Sequence, residues 1–184
     1  MPVTVVVLAG GHGSRIGGDK ALVKLAGRRL IEYPLAAARV AGLQAVVVAK
    51  RHTDLPPLDV PVLIEPDNPT HPLAGVIAAL EQFDAVLAIP CDMPLLSGAD
   101  LCALAAMPSE MAVLTPDQPF PALYRSAVLP QLRVALDGAW SMRATHAHLS
   151  AQAVLATTDA ASRVLSVNTP RDLAEAERRL GEPG

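Results

Sequence analysis

The sequence predicts an α/β chain: a mostly parallel sheet covered by helices on both faces, in three α/β/α layers. Three observations predict it. Short β-branched runs alternate with helix-length segments along most of the 184 residues. The apolar residues, 51% of the chain, are mainly Ala, Val and Leu, and the aromatics number one Trp, two Tyr and two Phe. Small aliphatic side chains of this kind suit strands buried on both faces. Finally, the opening run Val3 to Ala9 has no polar alternation and ends at Gly10-Gly11, as a central parallel strand does.

The remaining elements follow in order. A helix is expected over Leu30 to Ala41, with Pro34 tolerable only near its first turn and Gly42 as its stop. Strands are expected at Ala45 to Ala49 and Val60 to Ile64. A helix over Ala74 to Gln82 and a strand over Ala85 to Ile89, stopped by Pro90, come next. Ser97 and Asp100 have the spacing of a capping box, opening a helix to about Ala106. Strands are then expected at Met111 to Thr115, Ala122 to Tyr124, Ala153 to Thr157 and Val164 to Val167, with helices at Val128 to Leu136 and Ser141 to Leu149. The last helix is the best marked. Thr169 is its N-cap, Pro170 its first residue, Arg178 and Arg179 sit at its negative end and Gly181 closes it. The expectation is one domain over residues 1–184, with the last few residues fraying.

Bulk properties narrow the function classes. A net charge of −3 argues against a nucleic-acid or anionic-membrane binder. No apolar stretch approaches the roughly 18 residues of a membrane span, and no basic leader opens the chain, which reads as cytosolic. Cys91 and Cys102 are expected as two reduced, buried thiols.

Chemistry can sit in three places. Leu8 to Lys20, LAGGHGSRIGGDK, begins where a parallel strand ends, the edge at which open α/β sheets bind ligands. Gly10, Gly11, Gly13, Gly17 and Gly18 let the backbone bend and turn N–H groups toward an anion. Arg15 can fork onto phosphate oxygens, and Lys20 adds a mobile charge. The loop is neither a dinucleotide fingerprint, which needs glycine where Ile16 stands, nor a P-loop, which needs Ser or Thr after Lys20. It is a phosphate loop of another kind. The second place is Pro90-Cys91-Asp92-Met93-Pro94, where Asp92 follows a buried strand and suits Mg²⁺ held by one carboxylate plus phosphates and waters. The third is Glu65-Pro66-Asp67 with His71-Pro72-Leu73-Ala74-Gly75, a loop and helix start suited either to sugar or base contact or to plain solvation. The five histidines show no metal-ligand spacing.

With these motifs in place, the chain resembles the molybdenum cofactor guanylyltransferases (the molybdopterin-guanine dinucleotide biosynthesis protein A family). They belong to the nucleotidyltransferases with a Rossmann-like sheet of the nucleotide-diphospho-sugar transferase type. LAGGHGSRIGGDKAL, HPLAG, PCDMP, QPFPALYR and SVNTPRDL carry the resemblance. It implies transfer of GMP from GTP to the terminal phosphate of molybdopterin, with Mg²⁺ as cofactor and pyrophosphate released. It also implies that Leu8, Ala9, Gly10 and Gly11 meet the nucleotide, Lys20 its phosphates, that Asp67 helps hold GTP and that Asp92 binds Mg²⁺. Arg15, Lys20 and Asp92 are the expected catalytic set. Partners are expected to be GTP, molybdopterin and cofactor-delivery proteins, with the chain a monomer or weak oligomer. Three positions depart from the family pattern: Val48 stands where some members have Asn, His71 where Gly is usual, and Ser166 where Asn or Asp is common. The alternatives are a molybdopterin cytidylyltransferase or sugar-phosphate nucleotidyltransferase, and a non-catalytic nucleotide-binding regulatory module.

Overall fold

Val5, Val6 and Val7 have no exposed surface, and they form the middle of a strand with a neighbour on each side. This is β1 (Thr4–Leu8), seen in a computed structural model that describes residues 2–10, 12–13, 18–154 and 158–181. The other strands of the main sheet are β2 (Gln44–Ala49), β3 (Val62–Ile64), β4 (Ala85–Pro90), β5 (Met111–Val113), β6 (Ala122–Arg125) and β7 (Gln152–Ala153). Their order is β7-β5-β6-β4-β1-β2-β3. All pairings are parallel except those of β6, which runs antiparallel to both β4 and β5. The mostly parallel sheet expected from composition is therefore present, with one reversed strand inside it.

The helices are α1 (Glu32–Val40), α2 (Pro72–Leu80), α3 (Gly98–Ala105), α4 (Leu129–Asp137), α5 (Met142–His148), α6 (Thr158–Arg163) and α7 (Pro170–Leu180). Helices α1 and α3 pack together, as do α2 and α4. Right-handed crossovers on the two sides of β1 send α1 and α2 to opposite faces, so the sheet is the middle of three layers. Pro34 falls in the first turn of α1, and Gly42, with φ +68°, takes the left-handed conformation just past its end. The expected capping box of Ser97 with Asp100 forms, and Thr169, expected as an N-cap, makes a second one with Asp172.

Four expectations need correction. Val164 to Val167 pairs with no strand; its one ladder-like bond runs from Val167 N–H to Asp92 O at 2.8 Å. The strand expected over Ala153 to Thr157 is met only at Ala153, since β7 is Gln152–Ala153 and Val154 lies past its end; residues 155–157 lie outside the described ones. Thr158–Arg163 forms a short helix that no pattern announced. Its Arg163 is clamped to Asp100 by two bonds of 2.8 and 2.6 Å. Burial pushes the Asp100 carboxyl upward, but the bonds from Arg163 and Ser97 outweigh it and leave it below its ordinary value. Lastly, Cys91 is buried as expected but Cys102 is exposed. The expected fraying of the last residues falls on 182–184, outside the described set.

The C-terminal helix is held by a small second core. Val167 and Ala176 join Leu25, Leu30 and Tyr33, all buried, and the Tyr33 hydroxyl donates to Leu25 O at 2.6 Å. This packing brings the chain after Leu165 back to the carboxyl edge of β4. No described helix is long and apolar enough to cross a membrane.

Candidate active site

Parallel registers align the strand ends. Leu8 stands opposite Val48 and Pro90, and Ala49 opposite Ile64. Whatever follows β1, β2, β3 and β4 is therefore delivered to one edge, and β6, being reversed, starts there at Phe120-Pro121. A hollow of about 250 Å³ opens at this edge, lined by Leu8, Gly10, Lys20, Lys50, Glu65, His71, Asp92 and Phe120 among others.

The phosphate loop is described at its two ends, where His12 pairs with Asp19 and Gly13 with Gly18 in a small antiparallel ribbon. Gly11 and Arg15 lie outside the described residues. Ala9 donates its N–H to Val48 O at 2.8 Å, while Leu8 O accepts from Cys91 N–H at 3.0 Å. The strand ends are thus tied to one another before the loop begins.

Lys20 leaves this ribbon at the start of a single 3-10 turn, Lys20–Leu22. Its ammonium sits 2.5 Å from Asp92 Oδ2 and 2.5 Å from Asn168 Oδ1. Asp92 is 4% exposed, and its other oxygen, Oδ1, is buried with no hydrogen-bond partner among the described residues. A buried carboxylate oxygen left without a partner is costly unless a cation or donor completes it. Asp92 therefore brings to the hollow a carboxylate with one oxygen, Oδ1, still without a partner among the described residues. Mg²⁺ binds with one or two carboxylates plus phosphate and water oxygens, and Asp92 Oδ1 fits that need. Among the described residues no group of three or more acidic, His or Cys side chains forms a closed metal cage. The donors beyond Asp92 would have to come from substrate and water.

Asn168 is set by its surroundings. Its Nδ2 donates to Ser166 Oγ at 3.1 Å, which leaves Oδ1 to face Lys20, and its backbone N–H is held by Asp172. Ser166, which departs from the family pattern, orients Asn168 here. Burial pushes the Cys91 thiol up to about 12, with the Asp92 charge adding to it. Cys91 is accordingly no thiolate nucleophile.

The third sequence segment is arranged differently from expectation. The Asp67 side chain is exposed and does not line the hollow; its carbonyl accepts from Lys50 Nζ. Glu65 is the carboxylate that faces inward, only 9% exposed. Strand alternation could have found it: Val62 and Ile64 point out, which puts Leu63 and Glu65 on the inner face. A side chain on Gly10 would collide with Glu65 Oε1, and a Cβ on Gly75 would lie 2.7 Å from Oε2. Burial raises the Glu65 carboxyl above its ordinary value and the Lys50 charge opposes the rise. His71 caps α2, its Nδ1 accepting from Leu73 N–H at 3.2 Å. Val48 has no exposed surface, so it offers no polar group to a ligand. Arg125, in the QPFPALYR motif, lies at the opposite edge, bonded to Met107 O and Ser109 O.

Known proteins resemble this chain over most of its length. Residues 5–154 match the MobA-like NTP transferase domain family. A molybdenum cofactor guanylyltransferase of Xanthomonas euvesicatoria is 37% identical over 92% of this chain and 91% of its own length. Another, from Rhodobacter capsulatus, is 36% identical over 98% and 97%. Among solved structures, molybdopterin-guanine dinucleotide biosynthesis protein A from Archaeoglobus fulgidus superposes with a TM-score of 0.78 at 24% identity, covering 96% of this chain and 98% of that one. The 2-C-methyl-D-erythritol 4-phosphate cytidylyltransferase of Thermus thermophilus gives 0.72 at 22% identity, over 97% and 98%. These two likenesses speak for the fold. By the length and level of its sequence identity, the chain belongs to the molybdenum cofactor guanylyltransferases, nucleotidyltransferases of the MobA-like domain family.

Proposed function

We propose that this chain, acting as one cytoplasmic domain, transfers GMP from GTP to the terminal phosphate of molybdopterin and releases pyrophosphate. The observation that carries the reading is the Lys20 ammonium held between Asp92 and Asn168, beside the unpartnered Asp92 Oδ1. An acceptor phosphate oxygen forms the new bond to the α-phosphorus of GTP, and the bridging P–O bond to the β-phosphate breaks. The acceptor is already anionic, so the reaction needs no strong general base. What it needs is positive charge fixed where phosphate charge shifts. Lys20 supplies that charge from a position set by Asp92 and Asn168. Arg15 and the glycine-loop N–H groups, including that of Gly11, are assigned to the triphosphate from the sequence. Bound at Asp92, Mg²⁺ would draw phosphate oxygens together and offset their charge.

The test is pyrophosphate release with GTP, CTP and ATP, each with molybdopterin and Mg²⁺. GTP should be the substrate; preference for CTP, or nucleotide binding with no release, would replace the reading. Asp92→Ala should lower turnover at least 10²-fold, and near-normal Mg²⁺-dependent release in that variant removes the metal assignment.

A further inference from the structure

His71 is anchored more fully than a loop–helix junction requires. Its backbone N–H donates to Pro69 O and its carbonyl accepts from Ala74 N–H, each at 3.0 Å. Its Nδ1 accepts from Leu73 N–H at 3.2 Å and so caps the amino end of α2. The backbone of Trp140, between α4 and α5, also bonds to the ring and favours its protonated form. Such a bond is one the ring donates, and with Nδ1 already an acceptor the donor is Nε2. The ring thus takes one tautomer and spans from the first turn of α2 to the turn before α5. Thr70, His71 and Pro72 line the hollow beside Lys20 and Asp92, while Leu73, one residue on, is fully buried. What fixes this turn fixes one wall of the hollow.

The arrangement works only with a neutral ring. A proton on Nδ1 would set two N–H groups against each other and place a positive charge at the positive end of a helix. Burial holds His71 below its ordinary value, against the opposing pull of the Trp140 bond. In the hollow its charged neighbours are Lys20, Lys50, Glu65 and Asp92, and α2 itself carries none. On α4, Arg133 pairs with Glu81 at the far end of α2 and Asp137 is exposed; on α5, Arg143 is bonded to Asp117 O, His146 to Tyr124, and His148 lies edge-on to the Trp140 indole.

We propose that His71 is a positioning residue for the nucleotide, a strut that sets the α2 wall of the hollow only while its imidazole is neutral. Acid protonates the ring, parts the first turn of α2 from the turn before α5, and loosens the grip on the nucleotide. The grip is full above about pH 6.5 and is lost as the pH falls through a midpoint lying lower. The inference rests on the proposed nucleotide site and adds to it the group that holds its wall in place.

Calorimetry of GTP–Mg²⁺ binding without acceptor, from pH 7.5 to pH 5.0, tests it on wild type, His71→Asn and His71→Ala, with circular dichroism confirming the fold at each pH. Asparagine keeps a cap acceptor that does not titrate, and alanine has none. At pH 7.5 His71→Asn should bind within about twofold of wild type, and His71→Ala about threefold or more weaker, the scale of a lost cap. Titration of GTP itself is common to all three proteins, so the affinity ratio of wild type to His71→Asn isolates the ring. That ratio should fall about threefold or more by pH 5.0, bringing wild type toward His71→Ala. Ring-nitrogen NMR of wild type should show the Nε2–H tautomer at pH 7.5. An unchanged ratio, an Nδ1–H tautomer, or His71→Ala binding as tightly as wild type overturns the inference. So does a ratio that rises in acid, which would make the charged ring a phosphate contact. Absence of GTP binding by wild type at pH 7.5 overturns the proposed nucleotide site and this inference with it, whereas the other results overturn the inference alone.

Discussion

Acid should loosen this fold through His146 before it titrates most carboxylates. The ring of His146, on α5, is 8% exposed, and its Nε2 lies 2.8 Å from the hydroxyl of Tyr124, which has no exposed surface. Burial lowers His146 from its ordinary value of 6.5 to about 4. The folded chain thus holds a neutral imidazole, whereas the unfolded chain takes up a proton near 6.5. The sign follows: the stability tied to the neutral ring is present above about pH 6.5 and is lost as the pH falls toward 4. A shift from 6.5 to about 4, at ~1.36 kcal/mol per unit, is worth about 3 kcal/mol once both states are protonated. At pH 5 the loss is already about 2 kcal/mol on the same linkage. Urea unfolding at pH 7.5 and pH 5.0 measures it directly, comparing wild type with His146→Gln, which keeps an acceptor for Tyr124. The drop in unfolding free energy between the two pH values should be about 2 kcal/mol smaller in the variant. A drop of equal size in both proteins, or an NMR titration midpoint for His146 near 6.5, refutes the reasoning.

Three other outcomes are expected. Lys20→Ala should weaken triphosphate binding and slow GMP transfer by at least 10²-fold, and unchanged steady-state kinetics would remove Lys20 from the site. Gly75→Ala should cost about 1–3 kcal/mol in thermal or urea unfolding, because its methyl must displace Glu65, Leu8 and Val48 together; a neutral effect would mean that the slot between β1 and α2 yields easily. Thr169→Ala removes the side-chain acceptor for Asp172 N–H and should cost about 1 kcal/mol, read from the urea midpoint. A change under a few tenths would show that α7 is held by its apolar contacts alone.

Most of the sheet was legible because a strand buried on both faces leaves a local mark, a β-branched run stopped by glycine or proline. Thr4–Leu8 and Ala85–Pro90 carry that mark and fell where expected. Val164 to Val167 carries it too, yet a strand also needs a free neighbouring edge, and no segment reveals by itself whether one is available. The reverse holds for α6: six residues with little helical pattern are kept in place by the Arg163–Asp100 clamp, a contact between distant parts of the chain. At the site, Asp92 and Lys20 were visible as motifs, but not their bond to each other or the third position of Asn168, 148 residues from Lys20. Reading the acidic segment by motif pointed to Asp67, whereas period-two alternation through Val62, Leu63 and Ile64 points to Glu65. Two residues apart, they would share a face in a continued strand, but the strand ends at Ile64 and Asp67 stands exposed in the loop beyond it.

The Lys20 ammonium joins three separate stretches of chain, and the last of them arrives with α7, beyond the residues 5–154 that match the domain family. All seven strands of the main sheet lie before Asn168, so a chain broken off after β7 contains every strand but lacks the carbonyl that Lys20 needs. Synthesis from the amino end therefore delays the pairing of Lys20 with Asn168 until the segment carrying Asn168 has emerged. The C-terminal segment works as a final latch: a product terminated before it would keep every strand of the sheet, yet its Lys20 ammonium would lack the Asn168 carbonyl that completes its setting.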